Sequence, residues 1–264
     1  MFHQISDSLW ERIEPALPAY KPNCRGGCPR LPLRRVVTGI LYVLRTGCQW
    51  KAMPQEFGSG SAIHADFQEW VKRGLFHKLW RTALEEYDDL KGIDWEWQSL
   101  DGAMTKAPLG GEKTGKNPTD RGKLGVKRSV LTDGRGVPVG VAVAGANVHD
   151  QKLVVETFQS LPVRRPPGRR RQHLCADKGY NAQTIRQTAA RRGYVVHIPR
   201  KGTEPPRPVR RRGRARRWVV ERLHSWTNRA RRLLTRWEKT AVNYLAFLHL
   251  QFAITAWRTA GVLG

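Results

Sequence analysis

Acidic residues are scarce in this chain. Its 264 residues carry 22 Asp and Glu against 47 Lys and Arg, a formal net charge of +25. A field of that sign draws in polyanions and disfavours an enzyme of small, neutral metabolites, so nucleic acid is the expected partner. Cysteine is sparse as well. Cys24, Cys28, Cys48 and Cys175 form no regular framework in a chain of this size, which argues against a secreted disulfide scaffold and fits a reducing cytoplasm. Cys24 and Cys28 make half a zinc site at most, because no second Cys/His pair follows at ligand spacing. Long apolar runs are missing too. The most apolar stretch, Ala241 to Trp257, is broken by Asn243, His249 and Gln251 and falls short of the ~20 residues a span needs. A buried core helix is expected there, and no membrane. Asp7, Glu11 and Glu14 interrupt the opening residues, so they do not read as a secretory leader.

The basic excess is unevenly placed. Residues 1–100 hold 13 basic and 12 acidic side chains, whereas residues 101–264 hold 34 and 10. The texture changes at about the same point, which predicts two domains, 1–95 and 96–264.

The first reads as all-helical. Ser6 or Asp7 caps a helix to about Glu14, stopped by Pro15 and Pro18, and Leu33 to Arg45 has helical spacing. Met53 to Gly74 reads as two short helices joined at Gly58-Ser59-Gly60, with Ile63, Phe67, Trp70 and Val71 inward and Ser61, His64 and Lys72 outward. That outline suits a helix-turn-helix and equally an ordinary bundle.

The second reads as α/β. Trp97 to Asp101 is strand-like, and Leu124–Leu131 and Val137–Ala144 form a hairpin through Asp133-Gly134-Arg135-Gly136. Asp150 caps a helix to Leu161, His173–Ala176 is a strand, Asn181–Arg192 a helix, Tyr194–Ile198 a strand, and a helix or helix pair begins at Trp218. Three initial strands followed by alternating helix and strand predict a mixed sheet flanked by helices.

Ten acids in the second region can be questioned one by one. Glu112, Asp120 and Glu204 fall in loops, Asp133 in the hairpin turn, Asp150 at a helix start, and Glu156 and Glu238 on solvated helix faces. Asp101 and Asp177 fit less easily, because each ends a strand, where functional side chains of open α/β sheets collect. If the two strands are parallel neighbours, their carboxylates stand close together and call for a cation, with Mg²⁺ or Mn²⁺ suited to carboxylate and phosphate oxygens. Glu221 is a third candidate. Arg214, Arg217, Asn228 and Arg232 stand at −7, −4, +7 and +11 from it, sharing one face of a continuous helix. Spacing alone equally allows Glu221 simply to relieve repulsion among arginines.

Several segments together resemble the DDE transposases of bacterial insertion sequences, in the insertion-sequence-five branch. They are Trp10 to Pro15, Gly39 to Trp50, Gly115 to Lys123, Ala176-Asp177-Lys178-Gly179-Tyr180, Val220-Glu221-Arg222 and Arg231-Arg232-Leu233. The resemblance spans nearly the whole chain. It implies a ribonuclease-H-like mixed sheet flanked by helices, preceded by an all-α, helix-turn-helix-like domain. It also implies Asp101, Asp177 and Glu221 as catalytic metal ligands for two Mg²⁺ ions, with Mn²⁺ able to substitute. The broader signature has Tyr and Lys where this chain has Arg214 and Asn228; Arg217 fits, and Arg229 can stand in for the Lys. Lys116, Arg121, Lys123, Lys178, Arg214, Arg217, Asn228, Arg229 and Arg232 are the DNA-contact candidates. Trp95, Trp97, Trp218 and Trp226 are candidates for stacking on bases, and the Arg169–Arg171 and Arg210–Arg212 runs for phosphate contacts. The implied function is cut-and-paste transposition by a homodimer on double-stranded DNA in the bacterial cytoplasm, associated with the nucleoid. The competing readings are a non-catalytic DNA-binding regulator and a nuclease that cuts without rejoining.

Overall fold

Ser6 begins the helical region as expected, its hydroxyl accepting from the Leu9 amide at the start of α1 (Asp7–Ile13). The structure is a computed structural model that describes residues 4–20, 29–166, 171–199 and 218–263. Cys24, Cys28, Arg169, Arg170, Arg210–Arg212, Arg214 and Arg217 lie outside those residues. Helix α2 (Leu33–Thr46) ends at Gly47, whose φ of 71° terminates it in the left-handed region. The expected helix pair over 53–74 is one helix, α3 (Gly60–Lys72), preceded by short 3-10 turns at Trp50–Ala52 and Gln55–Phe57. His64, expected to face outward, packs against Trp50 with ring centroids 4.9 Å apart and the rings tilted by 31°. Next comes α4 (Leu75–Lys91), for which the sequence reading set no bounds.

The second region opens with β1 (Trp97–Lys106) and the short β2 (Gly115–Lys116), then the hairpin β3 (Leu124–Thr132) and β4 (Pro138–Gly145). Helix α5 (Val154–Gln159), β5 (Gln172–Ala176), α6 (Gln183–Arg191) and β6 (Tyr194–His197) follow. The order across the sheet is β2–β3–β1–β5–β6, with β4 also on β3. β3 is antiparallel to β1 and β4, while β5 is parallel to both β1 and β6. This is a mixed sheet, as the order of strands and helices in the sequence predicted.

Of the long helix or helix pair expected from Trp218, the structure has the pair, with a single turn between its members. Helix α7 (Trp218–Asn228) stops, α8 (Arg231–Leu234) is a single turn, and α9 (Ala241–Ala260) resumes after a loop. Arg232 therefore does not continue the Glu221 helix face. Among the described residues no helix is long and apolar enough to cross a membrane. Instead α9 packs along α4 and α3: Phe247 stacks on Phe67 at 4.7 Å, Phe252 lies 5.6 Å from Trp80, and the Trp257 Nε1–H donates to Glu86 at 2.8 Å.

Three acids assigned to loops, turns or solvated faces are structural ties. Asp133 is fully buried and accepts from the Tyr87 hydroxyl of α4 at 2.8 Å and from the Val137 and Arg135 amides. Burial pushes its pKa up, and those hydrogen bonds oppose the shift. Glu238 is buried against Arg232, and Glu112 accepts from the Ala241 amide at the start of α9.

His249 on α9 makes this packing pH-sensitive. Its ring stacks on Trp80 at 5.1 Å and meets His77 edge-on at 5.2 Å. Burial, then the charge of His77, pushes its pKa from 6.5 down to about 3. Below pH 6.5 the unfolded chain takes up a proton that the folded chain refuses. Stability is therefore full above that pH and falls toward about 3. We expect His249→Phe to lose less of its urea midpoint than the wild type between pH 7 and pH 5; equal losses would assign the acid sensitivity elsewhere.

Candidate active site

The site is built on the register between β1 and β5. Their last parallel pair is Leu100 with Ala176, so Asp101 and Asp177 are the next residues on neighbouring strands. Adjacent strands run about 4.8 Å apart, which sets the two backbones side by side; Asp101, expected to end its strand, lies within β1, which runs on to Lys106 because it keeps pairing with β3. Beyond that pair the strands part. β1 continues beside β3, with Asp101 opposite Val130, whereas Asp177 leaves the sheet and caps the turn Lys178–Tyr180, accepting from the Lys178 amide at 2.6 Å.

Glu221 stands on α7, which packs across β1 and β3. Arg128 on β3 holds it there. This guanidinium is 1% exposed and reaches the Asn228 side-chain carbonyl at 2.6 Å, the Leu233 carbonyl at 3.3 Å and the His224 carbonyl at 3.5 Å. The cation thus sits at the carbonyl end of α7, where the helix dipole favours positive charge. His224, three residues after Glu221 and on the same side of the helix, brings its ring nitrogen 3.9 Å from the Asp101 carboxylate. Burial, and then Arg128, pushes its pKa down to about 3, against the opposing bond to Asp101. His224 is accordingly a neutral imidazole beside the acids.

A fourth carboxylate reaches the site from the other side of β1. A Cβ on Gly102 would lie 2.2 Å from the Asp150 Oδ1, so only glycine lets Asp150 approach here. Asp150 opens a 3-10 turn, but His149 is its cap; Asp150 instead pairs with the buried Lys127 at 3.2 Å. Gln151 ties that turn to the one after Asp177 through the Gly179 carbonyl at 2.8 Å. Between them the buried Tyr180 hydroxyl has its pKa pushed well above the ordinary value, first by burial, then by Asp150, Asp101 and Asp177.

Among the described residues, no three His, Cys, Asp or Glu side chains form a ready-made metal cage. The donors nevertheless suit Mg²⁺, a hard ion that is commonly held by one or two carboxylates and completed by water and substrate phosphate. Asp101 and Asp177 are the pair that could hold it, and Glu221 stands one helical turn from the His224 that faces Asp101.

The cations expected to touch DNA fall into groups. Lys178, adjoining Asp177, is exposed, as are Lys116, Arg121 and Lys123 beyond the far end of β1. That end, Lys106, is about 17 Å along the strand from Asp101. Arg229 is exposed. Asn228 is engaged by Arg128. Arg232 is a correction: it is 6% exposed, pairs with Glu238 at 2.5 Å and donates to the Cys48 carbonyl at 3.0 Å, so it faces protein. Trp97 is likewise occupied, stacked on His173 at 4.2 Å, whereas Trp218 is 56% exposed. The sequence pattern does not single out His224. For Lys127 and Arg128 a signal exists, two adjacent cations inside an otherwise apolar strand.

Residues 97–256 match the family model described as "Transposase DDE domain", and residues 5–80 match "Putative transposase of IS4/5 family". A Burkholderia cepacia protein named "Putative transposase for insertion sequence element IS402" is 35% identical over 154 residues, covering 57% of this chain and 71% of the relative. A second protein of that organism, the 16.2 kDa uncharacterized protein of insertion element IS402, is 35% identical over 118 residues, 43% of this chain and 80% of its own. Among solved structures, the Mos1 mariner paired end complex with Mn is a distant likeness, at 12% identity and a TM-score of 0.31 over 91% of this chain and 82% of that one.

Two substitutions test these assignments. Gly102→Ala drives a methyl into Asp150 and should cost about 1–3 kcal/mol of stability; Asp150→Gly alone strands the buried Lys127, and the double variant should lose less than the sum of the two single losses. A simple sum of two losses in urea unfolding would refute the contact. Arg232→Met strands a buried Glu238 and should cost about 3–5 kcal/mol, whereas a DNA-contact residue would leave the melting midpoint of the free protein unchanged.

Proposed function

Because this chain belongs to the family of transposases with a DDE domain, we propose that it cuts an insertion sequence from DNA and joins it elsewhere, with Asp101, Asp177 and Glu221 as the acids of the reaction. The observation that carries the assignment is the parallel register of β1 and β5, which ends at Leu100 and Ala176 and so makes Asp101, within β1, and Asp177, just past β5, the next residues along.

Asp101 and Asp177 would hold two divalent ions between them, with Glu221 on one of the two; Mg²⁺ suits these oxygens, and Mn²⁺ can substitute. When bound, such ions favour the deprotonated nucleophile and stabilise the leaving oxygen of an in-line displacement. The chain's own residues do the rest. Arg128 fixes α7, and with it Glu221, against the sheet. His224 stays neutral and adds no charge of its own beside Asp101. The Asp150–Lys127 pair packs beneath Gly102 and supports the strand that carries Asp101. Lys178 meets the phosphate nearest Asp177, while Lys116, Arg121 and Lys123 hold the duplex farther along, and Arg229 lies beyond the end of α7. Arg214 and Arg217, also expected to contact DNA, lie outside the described residues.

The chemistry has two steps. Water attacks the phosphodiester at each end of the element, and the scissile P–O3′ bond breaks to leave a 3′-hydroxyl. That hydroxyl then attacks a target phosphodiester, forming a new P–O bond as the target's P–O3′ bond breaks; the departing oxygen takes up a proton. No covalent bond to the protein is needed. Residues 1–95 serve to read the terminal inverted repeats and 96–264 to carry the reaction. Two ends must be held together, so the working form is a homodimer on double-stranded DNA, acting in the cytoplasm on the bacterial nucleoid.

Asp101→Asn removes one metal-binding charge and leaves the duplex contacts in place. End DNA should still be retarded in a gel, while Mg²⁺-dependent nicking falls by about 10²–10³-fold, the scale of losing one electrostatic contact to a transition state. Chelation of the wild type should reproduce that phenotype. Normal nicking by Asp101→Asn would refute the assignment of the acids, and nicking without strand joining by the wild type would favour a simple nuclease.

A further inference from the structure

A second, unassigned basic site lies where the helical layer meets α7. It is a cavity of about 480 Å³ between α2, the end of α7 and α9. Leu41, Ile254 and Trp226 give it apolar walls, and Arg45, Arg229 and Arg258 bring three guanidinium groups to it. Among the described residues no carboxylate lines the cavity. These three arginines are exposed, and none takes part in the ion pairs seen among the described residues. By contrast Arg128, Arg135, Arg222, Arg232 and Arg236 are each spent on protein oxygens. Burial, then the charge of Arg258, pushes the Arg45 pKa down. Like charges converge on one concavity without a protein counterion.

We propose that this cavity binds a nucleoside phosphate, its phosphate on Arg45, Arg229 and Arg258 and its base against Trp226 and the apolar wall. Inorganic phosphate alone would use the arginines and leave the apolar wall wet. A nucleoside alone would leave the arginines unpaired. Arg229 is among the proposed DNA contacts, whereas Arg45 and Arg258 come from α2 and α9 and enter only through the fold. The ligand can come from two sources, a free nucleotide or an unpaired nucleotide of a DNA strand. In either case it would tie α2 to the helix that carries Glu221. The site does not include the three acids, so its test does not depend on strand cleavage.

The experiment measures binding to the full chain by calorimetry and anisotropy, with Asp101→Asn present in every protein so that DNA is not cut. AMP should bind saturably, and at least about tenfold more tightly than adenosine or inorganic phosphate. Arg45→Gln with Arg258→Gln should weaken AMP by at least about tenfold, the scale of one lost charge-assisted hydrogen bond. Trp226→Leu should weaken AMP and leave inorganic phosphate unchanged. A 5′-phosphorylated single strand that competes with AMP, with a blunt duplex that does not, identifies the strand as a source; competition by neither leaves free nucleotide. Relief of repulsion gives a second, ligand-free readout, since Arg45→Gln should raise the melting midpoint of the free protein. No saturable AMP binding, or AMP binding unaffected by the double substitution in a protein that melts normally, overturns the proposal. Loss of nicking in the otherwise wild-type chain would count against the proposed function and not against this site.

Discussion

The parallel pairing of β1 with β5 is the constraint on which the rest of the site depends. Parallel strands need a crossover, so the chain after β4 must leave the hairpin, pass through α5 and return as β5 beside β1. Once Leu100 is opposite Ala176, Asp101 and Asp177 have no freedom to be far apart. A one-residue slip would turn Asp177 to the other face and separate the carboxylates. The register is held by side chains on both sides of it. Gln98 donates to Gln172 across the buried strand pair and accepts from the Tyr194 hydroxyl at 2.7 Å, locking β1, β5 and β6 together. The site is thus a consequence of sheet geometry before it is one of electrostatics.

Electrostatics then sorts the positive charge into two kinds. Arg128, Arg232, Arg236 and Lys127 are buried, and the carbonyls and carboxylates around them are protein groups. Arg128 fastens α7 and α8 to the sheet, Arg232 ties α8 to the loop before α9 and to the end of α2, Arg236 braces that loop, and Lys127 ties β3 to the turn at Asp150. Lys116, Arg121, Lys123, Lys178 and Arg229 are exposed. The +25 of the whole chain therefore overstates the field available to a polyanion. The same sorting explains the few acids. Asp133, Glu238 and Glu112 are committed to buried or helix-end contacts, and Asp150 to Lys127. What separates Asp101 and Asp177 from these is their place next to the last parallel pair of β1 and β5, where the two strands part.

Much of the fold was legible because it is periodic. The hairpin was marked by Asp133-Gly134-Arg135-Gly136, the strand at His173 by a short apolar run, and α2 by its 3.6-residue spacing; all fell within a few residues of their observed bounds. The parallel placement of Asp101 and Asp177 could be framed only as a condition, because pairing between distant strands leaves no local trace. Arg232 shows the opposite failure. Its spacing from Glu221 assumed one continuous helix, whereas the chain breaks at Arg229-Ala230 and swings Arg232 toward the Gly47 and Cys48 carbonyls. Asp150 was legible as a helix start and not as a neighbour of Gly102, a contact that exists only after β1 and the 149–151 turn have been brought together.

The helical layer and the sheet are fastened to each other by polar contacts as well as by apolar ones. Tyr87 donates to Asp133, the Trp80 indole donates to the Pro138 carbonyl at 3.0 Å, and Arg232 spans from α8 to the end of α2. Each of these groups is buried, so losing a partner exposes the other to an unpaid desolvation cost of about 1–3 kcal/mol, larger where a charge is stranded. Buried polar contacts of this kind are directional and tolerate little sliding, unlike an apolar seam. The helices over 1–95 and the acids on the sheet are therefore held in one geometry. Under the proposed function, a duplex gripped by the first would present its phosphates to the second at a fixed offset, which is what chemistry at a defined end of an element requires.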